Sequence, residues 1–160
     1  MSPITETERA AHVAKLAAVP AQIAALVATL TPAQLIATPL AREWSIAQNV
    51  HHLVDSHTNA YIRARLMATE EHPTLKPYDQ DAWAALPDAQ AADISTSLAI
   101  LHGLHARWAA FFAALPLADL ARTGHHPERG TITIGSILAG YVDHSEAHIV
   151  QITRTLAAQR

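Results

Sequence analysis

Two histidines four residues apart, His144 and His148, stand in the run Tyr141-Val142-Asp143-His144-Ser145-Glu146-Ala147-His148. In a helix that spacing puts both imidazoles on one face about one turn apart, close enough to grip one metal ion. At least one further ligand has to come from elsewhere. The cluster His51, His52 and His57, about ninety residues earlier, is the place to look. The chain has no cysteine, which excludes disulfides, thiolate zinc sites and a cysteine nucleophile. Any metal here is held by nitrogen and oxygen donors.

Alternatives to metal binding weigh differently on each histidine. A lone histidine on an inward helix face is more often a hydrogen-bonded core residue than a ligand, whereas for a pair spaced i, i+4 the two readings balance. Ile137 and Tyr141 share the sector of His144 and His148, so that face points inward. A zincin is excluded by residue order, because its glutamate directly follows the first ligand. Here the run is His-Ser-Glu-Ala-His, and Glu146 is turned roughly 160° away from the histidine face as a solvated surface charge.

The elements that must position these residues are helical. The chain has 160 residues, half of them hydrophobic, with 5 glycines, and alanine is abundant throughout. These are the marks of an all-α fold in one domain spanning 1–160. A first helix is expected over about Thr5 to Leu30, with Val13, Leu16, Val19, Ile23, Leu26 and Leu30 at helical spacing and kinked or split at Pro20. Thr31-Pro32 opens a short turn or helix. Ser45 and Gln48 form a capping box that starts a second helix, about Ile46 to Thr69.

A long connection from Glu70 to Ala91 follows, with a short helix near Asp81 to Leu86, and is long enough to cross a bundle. The third helix carries a seam of Ile94, Leu98, Leu101, His105, Trp108, Phe112 and Leu115, ended by Pro116. A polar loop with Gly124, Pro127 and Gly130 leads to Thr133, the N-cap of a last helix over about Ile134 to Ala158. The expected architecture is a four-helix bundle with a long connection between its second and third helices.

On the second helix the seam Ile46, Val50, Leu53, Ala60 and Ala64 has His57 in its middle and His52 at its edge. Periodicity therefore ranks His57 first as the third ligand, His52 second and His51 last. His57 fits equally well as a bonded core histidine. The stripe His52, Ser56, Asn59 and Arg63 is either a solvated face or the wall of a polar cavity. His105 takes a seam position where leucine is expected, so it either faces the site, supporting it from behind or contacting substrate, or is bonded across the bundle to a backbone or hydroxyl group. His12, His72, His102, His125 and His126 read as surface residues, and Trp44, Trp83 and Trp108 as core or helix-entry anchors.

The net charge is −3 with basic residues spread singly, and no basic stripe argues for nucleic acid. Met1 to Arg9 shows no signal pattern, and no apolar run reaches membrane-spanning length, Ile23 to Leu30 being the most hydrophobic stretch. A cytoplasmic protein with no membrane partner is expected.

The run from Trp44 to His57, Trp44-Ser45-Ile46-Ala47-Gln48-Asn49-Val50-His51-His52-Leu53-Val54-Asp55-Ser56-His57, resembles the helix-two signature of the DinB superfamily. More narrowly it resembles the YfiT-like metal-dependent hydrolases. The likeness continues through Asn59 to Arg63, Pro73 to Asp79, Leu104 to Trp108 and His126-Pro127-Glu128, and ends on His144-x3-His148.

The resemblance implies a four-helix bundle with one divalent metal, zinc or nickel, on three histidines: His52, His144 and His148. His57 then becomes a core or supporting histidine, and His57, His105, Asn59 and Arg63 are the candidates behind the ligands. It implies a homodimer and a small-molecule substrate as well. The N-terminal arm is short, and the glycines usual before the Trp44 motif are missing.

Three neutral imidazoles leave coordination positions open, the mark of a catalytic site. Metal-assisted hydrolysis by an activated water is the first reading. A thiol S-transferase that binds a low-molecular-weight thiol and delivers it to an electrophile is the alternative, and a non-catalytic metal-binding bundle is a third.

Overall fold

The computed structural model describes residues 4–159. The first three residues of the segment Met1 to Arg9 lie outside that range. Among the described residues there are six α-helices: α1 (Glu6–Val27), α2 (Pro32–Ile36), α3 (Ile46–Thr69), α4 (Gln80–Ala84), α5 (Ser95–Ala114) and α6 (Ile134–Ala157). Four of them, α1, α3, α5 and α6, build the bundle. Each start but one has a physical reason in the sequence. Capping boxes close the N-termini of α1 (Thr5 with Glu8), α2 (Thr31 with Gln34), α3 (Ser45 with Gln48) and α6 (Thr133 with Ser136). Asp79 caps α4 by accepting from the N–H groups of Asp81 and Ala82. Only α5 begins without a side-chain cap.

Around the bundle, α1 lies against α5 and α6, and α3 lies against the same two helices. The consecutive pairs α1–α3 and α5–α6 are therefore diagonal. Diagonal neighbours need connections that cross an end of the bundle, and residues 28–45 and 115–133 do so.

Four expectations are corrected. Pro20 does not split the first helix; α1 runs unbroken through it and buries it. The polar loop before the last helix holds a 3-10 turn (Leu117–Ala121) and a hairpin, β1 (Thr123–His126) antiparallel to β2 (Gly130–Thr133). Thr74 of the long connection pairs with His125, so the two connections are stitched together. Strands of four residues are too short to show the alternation that identifies a strand in sequence.

The third correction is that His126 is buried rather than on the surface, and His12 is half-buried. Finally, α1 contains an 18-residue window of mean hydropathy 1.5, long and apolar enough by composition to reach spanning length. Alanines fill the positions between its valines, leucines and isoleucine and extend the apolar run beyond the stretch Ile23 to Leu30. The helix packs along α5 and α6.

Two hydrophobic clusters fill the bundle. One gathers Leu16, Ala60, Met67, Trp108, Phe112, Ile134 and Val142 toward the hairpin. The other gathers Val19, Ile23, Ile46, Leu53, Leu101 and Ile152. Each bundle helix passes from one cluster to the other over a few residues: 16 to 19 on α1, 54 to 60 on α3, 101 to 108 on α5 and 142 to 152 on α6. His57, His105, His144 and His148 fall inside those intervals, and His52 precedes the α3 interval by two residues. The histidines form a polar layer between two apolar ones.

Candidate metal centre

Helices α3 and α6 lie side by side and present His52 from one and His144 and His148 from the other. Each offers a ring nitrogen, and the three nitrogens lie within 4.8 Å of one another. His144 Nε2 is 3.3 Å from His52 Nε2 and 3.2 Å from His148 Nε2. Three nitrogens on a tetrahedral ion at zinc–nitrogen lengths stand about 3.3 Å apart. These two edges match that spacing.

The protonation of the rings fits a cation too. Burial pushes His52 down to about 4, with His148 adding to the effect. Burial does the same to His144, to about 3, and to His148, to about 4. All three are neutral at pH 7, with one nitrogen bare on each ring. For His148 the bare nitrogen is fixed. Asn49, buried on α3, donates its amide Nδ2 to the Ser45 carbonyl at 2.9 Å, so its Oδ1 accepts from His148 Nδ1 at 2.7 Å. That leaves His148 Nε2 unprotonated and turned to the other two rings.

Behind His144 stand the two other inward histidines. His57 Nε2 lies 3.2 Å from His144 Nδ1, and His57 Nδ1 lies 2.7 Å from His105 Nε2. His105 Nδ1 in turn lies 2.6 Å from the Leu16 carbonyl oxygen. Burial lowers the pKa of both rings, in His57 well below the usual imidazole range, with His105 and His144 contributing. Trp108 and Tyr141 meet His57 edge-on.

His51 faces elsewhere. Its nitrogens meet Ser97 Oγ at 2.8 Å and the Ala91 carbonyl at 3.0 Å, which ties α3 to the start of α5. Glu146 is exposed and pairs with Lys15 of α1 at 2.9 Å.

A cavity of about 700 Å³ opens onto His144, walled by Ser56, Arg63, Tyr78, His126 and Tyr141 among others. Of the stripe His52, Ser56, Asn59 and Arg63, the cavity takes Ser56 and Arg63. Asn59 donates instead to the Asp55 carbonyl one turn back and is not among the lining residues. Arg63 donates to the Lys76 carbonyl and leaves its buried Nε without a partner.

Sequence reasoning missed three residues here. Trp44 packs its ring 4.7 Å from His52 and stacks near His148 at 6.3 Å, so it covers the site rather than merely anchoring the helix entry. His126 reaches the cavity because the hairpin folds it inward. Asn49 carries a legible signal, a polar residue within the inward face one turn before Leu53.

A family model described as the DinB superfamily matches residues 15–152. The chain belongs to the DinB superfamily. Among curated relatives it is 40% identical over 151 residues to the "Putative metal-dependent hydrolase YfiT" of Bacillus subtilis, covering 94% of this chain and 85% of that protein. It is 36% identical over 151 residues to a "Putative metal-dependent hydrolase" of Bacillus cereus, covering 94% of this chain and 87% of that protein.

A solved structure of the Bacillus subtilis protein superposes with a TM-score of 0.93 at 39% identity, over 97% of this chain and 89% of that one. That structure is described as a probable metal-dependent hydrolase with an unusual four-helix bundle topology. This DinB-superfamily chain shares the all-α bundle, and its diagonal helix order is a departure from a simple up-and-down arrangement.

Proposed function

We propose that this chain holds one divalent metal ion, zinc or nickel, on His52, His144 and His148 and hydrolyses a small molecule seated in the adjoining cavity. The observation that carries the reading is the cluster of three neutral imidazoles beside an open cavity, with His144 Nε2 3.2–3.3 Å from the Nε2 atoms of the other two and all three nitrogens within 4.8 Å of one another. Nitrogen donors with no thiolate suit zinc and nickel alike. A divalent ion on three neutral imidazoles keeps coordination positions open and lowers the pKa of water toward about 7.

The chain's own residues do the rest. Asn49 holds the His148 ring in place, and Trp44 shields the outer edges of His52 and His148. In the cavity, burial pushes the Tyr78 phenol up, so its proton stays on oxygen as a donor to substrate. Arg63 adds a positive charge in the same wall, and it helps burial keep His126 neutral.

The test is elemental analysis of native protein followed by a screen of esters and amides in metal-loaded protein without thiol. Turnover with water alone supports hydrolysis. Turnover only after a low-molecular-weight thiol is added would replace it with a thiol transferase. A firmly held metal with no turnover in either arm would leave the non-catalytic bundle.

A further inference from the structure

Inside α1, Pro20 has no backbone N–H, so the carbonyl four residues earlier, that of Leu16, has lost its helical donor. An orphaned carbonyl inside a packed bundle is costly unless something else donates to it. His105 fills the vacancy from α5, its Nδ1 2.6 Å from Leu16 O. This explains how α1 tolerates an interior proline, and why a histidine replaces the leucine expected in the α5 seam.

The consequence runs through the histidine layer. A carbonyl oxygen only accepts, so His105 must carry its proton on Nδ1. A neutral ring has one proton, which leaves His105 Nε2 to accept from His57 Nδ1 at 2.7 Å. His57 Nε2 is then bare and accepts from His144 Nδ1 at 3.2 Å. With its proton on Nδ1, His144 is left with a bare Nε2, the nitrogen that faces His52 and His148. The reverse order would require the carbonyl oxygen to donate.

We infer that Pro20, the Leu16 carbonyl, His105 and His57 form a positioning device for His144: the carbonyl freed by the proline sets the proton order of three successive imidazoles and delivers the His144 Nε2 lone pair to the site. On the far side Asn49 does the same for His148 through one bond. His57 and His105 are thus positioning residues and touch neither metal nor substrate. The device rests on the metal reading only for its purpose. Its proton order is a property of the metal-free protein.

The experiment uses full-length protein with 15N-labelled histidine. Long-range proton–nitrogen correlation on the metal-free wild type should find His144 protonated at Nδ1, and a His144 protonated at Nε2 overturns the inference. His105→Leu removes the acceptor of His57. It should leave His144 a mixture of tautomers and weaken zinc binding, read by chelator competition, about 10- to 100-fold with helical content retained. His105→Gln, whose amide can donate to Leu16 and accept from His57, should restore both readouts.

A His105→Leu protein with a single His144 tautomer and wild-type zinc affinity overturns the device. If that variant fails to fold, the wild-type tautomer still decides. If the wild type binds zinc without using His144, the metal reading fails, while the tautomer still decides the proton order.

Discussion

A buried imidazole serves as a ligand only while it is neutral and turned with its bare nitrogen to the ion. The first condition is met here by environment. Burial holds His52, His144 and His148 at about 4, 3 and 4, against about 6.5 in an unfolded chain. The folded values are depressed, so the unfolded chain binds more protons once the pH drops below about 6.5. Stability is complete above that pH and is lost as it falls toward about 3. Thermal unfolding of metal-free protein at successive pH values should show the midpoint dropping through that window, and a flat profile there would contradict the burial of these rings.

The same scale shows where sequence reading succeeds and stops. The His144–His148 pair was legible because i, i+4 geometry is local. The choice between His57 and His52 was not, because periodicity finds the centre of a seam. His57 sits at that centre, fully enclosed. The cluster of three ring nitrogens instead takes in His52, at the seam's edge.

At the scale of elements, caps were legible and exceptions were not. Ser45–Gln48 and Thr133 placed the starts of α3 and α6 because capping is a matter of three residues. Pro20 misled because its cost depends on what happens to the Leu16 carbonyl, a fact about α5. Replacing an interior helix proline with alanine ordinarily recovers about 3 kcal/mol. Pro20→Ala should recover markedly less in urea unfolding, because His105 already satisfies the freed carbonyl; the full gain would show that the His105 bond contributes nothing.

The hairpin escaped notice because its strands are short and it is seated by tertiary contact. A Cβ on Gly124 would stand 2.9 Å from Met67 Cγ and 3.2 Å from Leu75 Cδ1. Gly124→Ala should therefore destabilise by about 1–3 kcal/mol, as overpacking does, measured by chemical denaturation. An unchanged midpoint would mean that the hairpin is not pressed onto α3 and the long connection.

At the scale of the molecule, the bundle places a polar layer between two hydrophobic clusters, and every bundle helix crosses that layer. This arrangement explains how five histidines can be brought together in a small helical chain: the apolar layers exclude water from the rings, and the rings satisfy one another. The all-α class and the four long helices were legible from composition and spacing. The diagonal order of α1 with α3 and of α5 with α6 was not, because it depends on which ends the connections cross.

A site built this way should depend on each of His52, His144 and His148 and tolerate their loss as a fold, since the two apolar clusters persist without them. The most direct measurement is the metal content of wild-type protein and of His52→Ala, His144→Ala and His148→Ala, by elemental analysis after dialysis, with helical content followed by circular dichroism. The three-histidine site requires one ion per chain in the wild type and its loss from each variant with the helices intact. Full occupancy in any one of the three variants would contradict it.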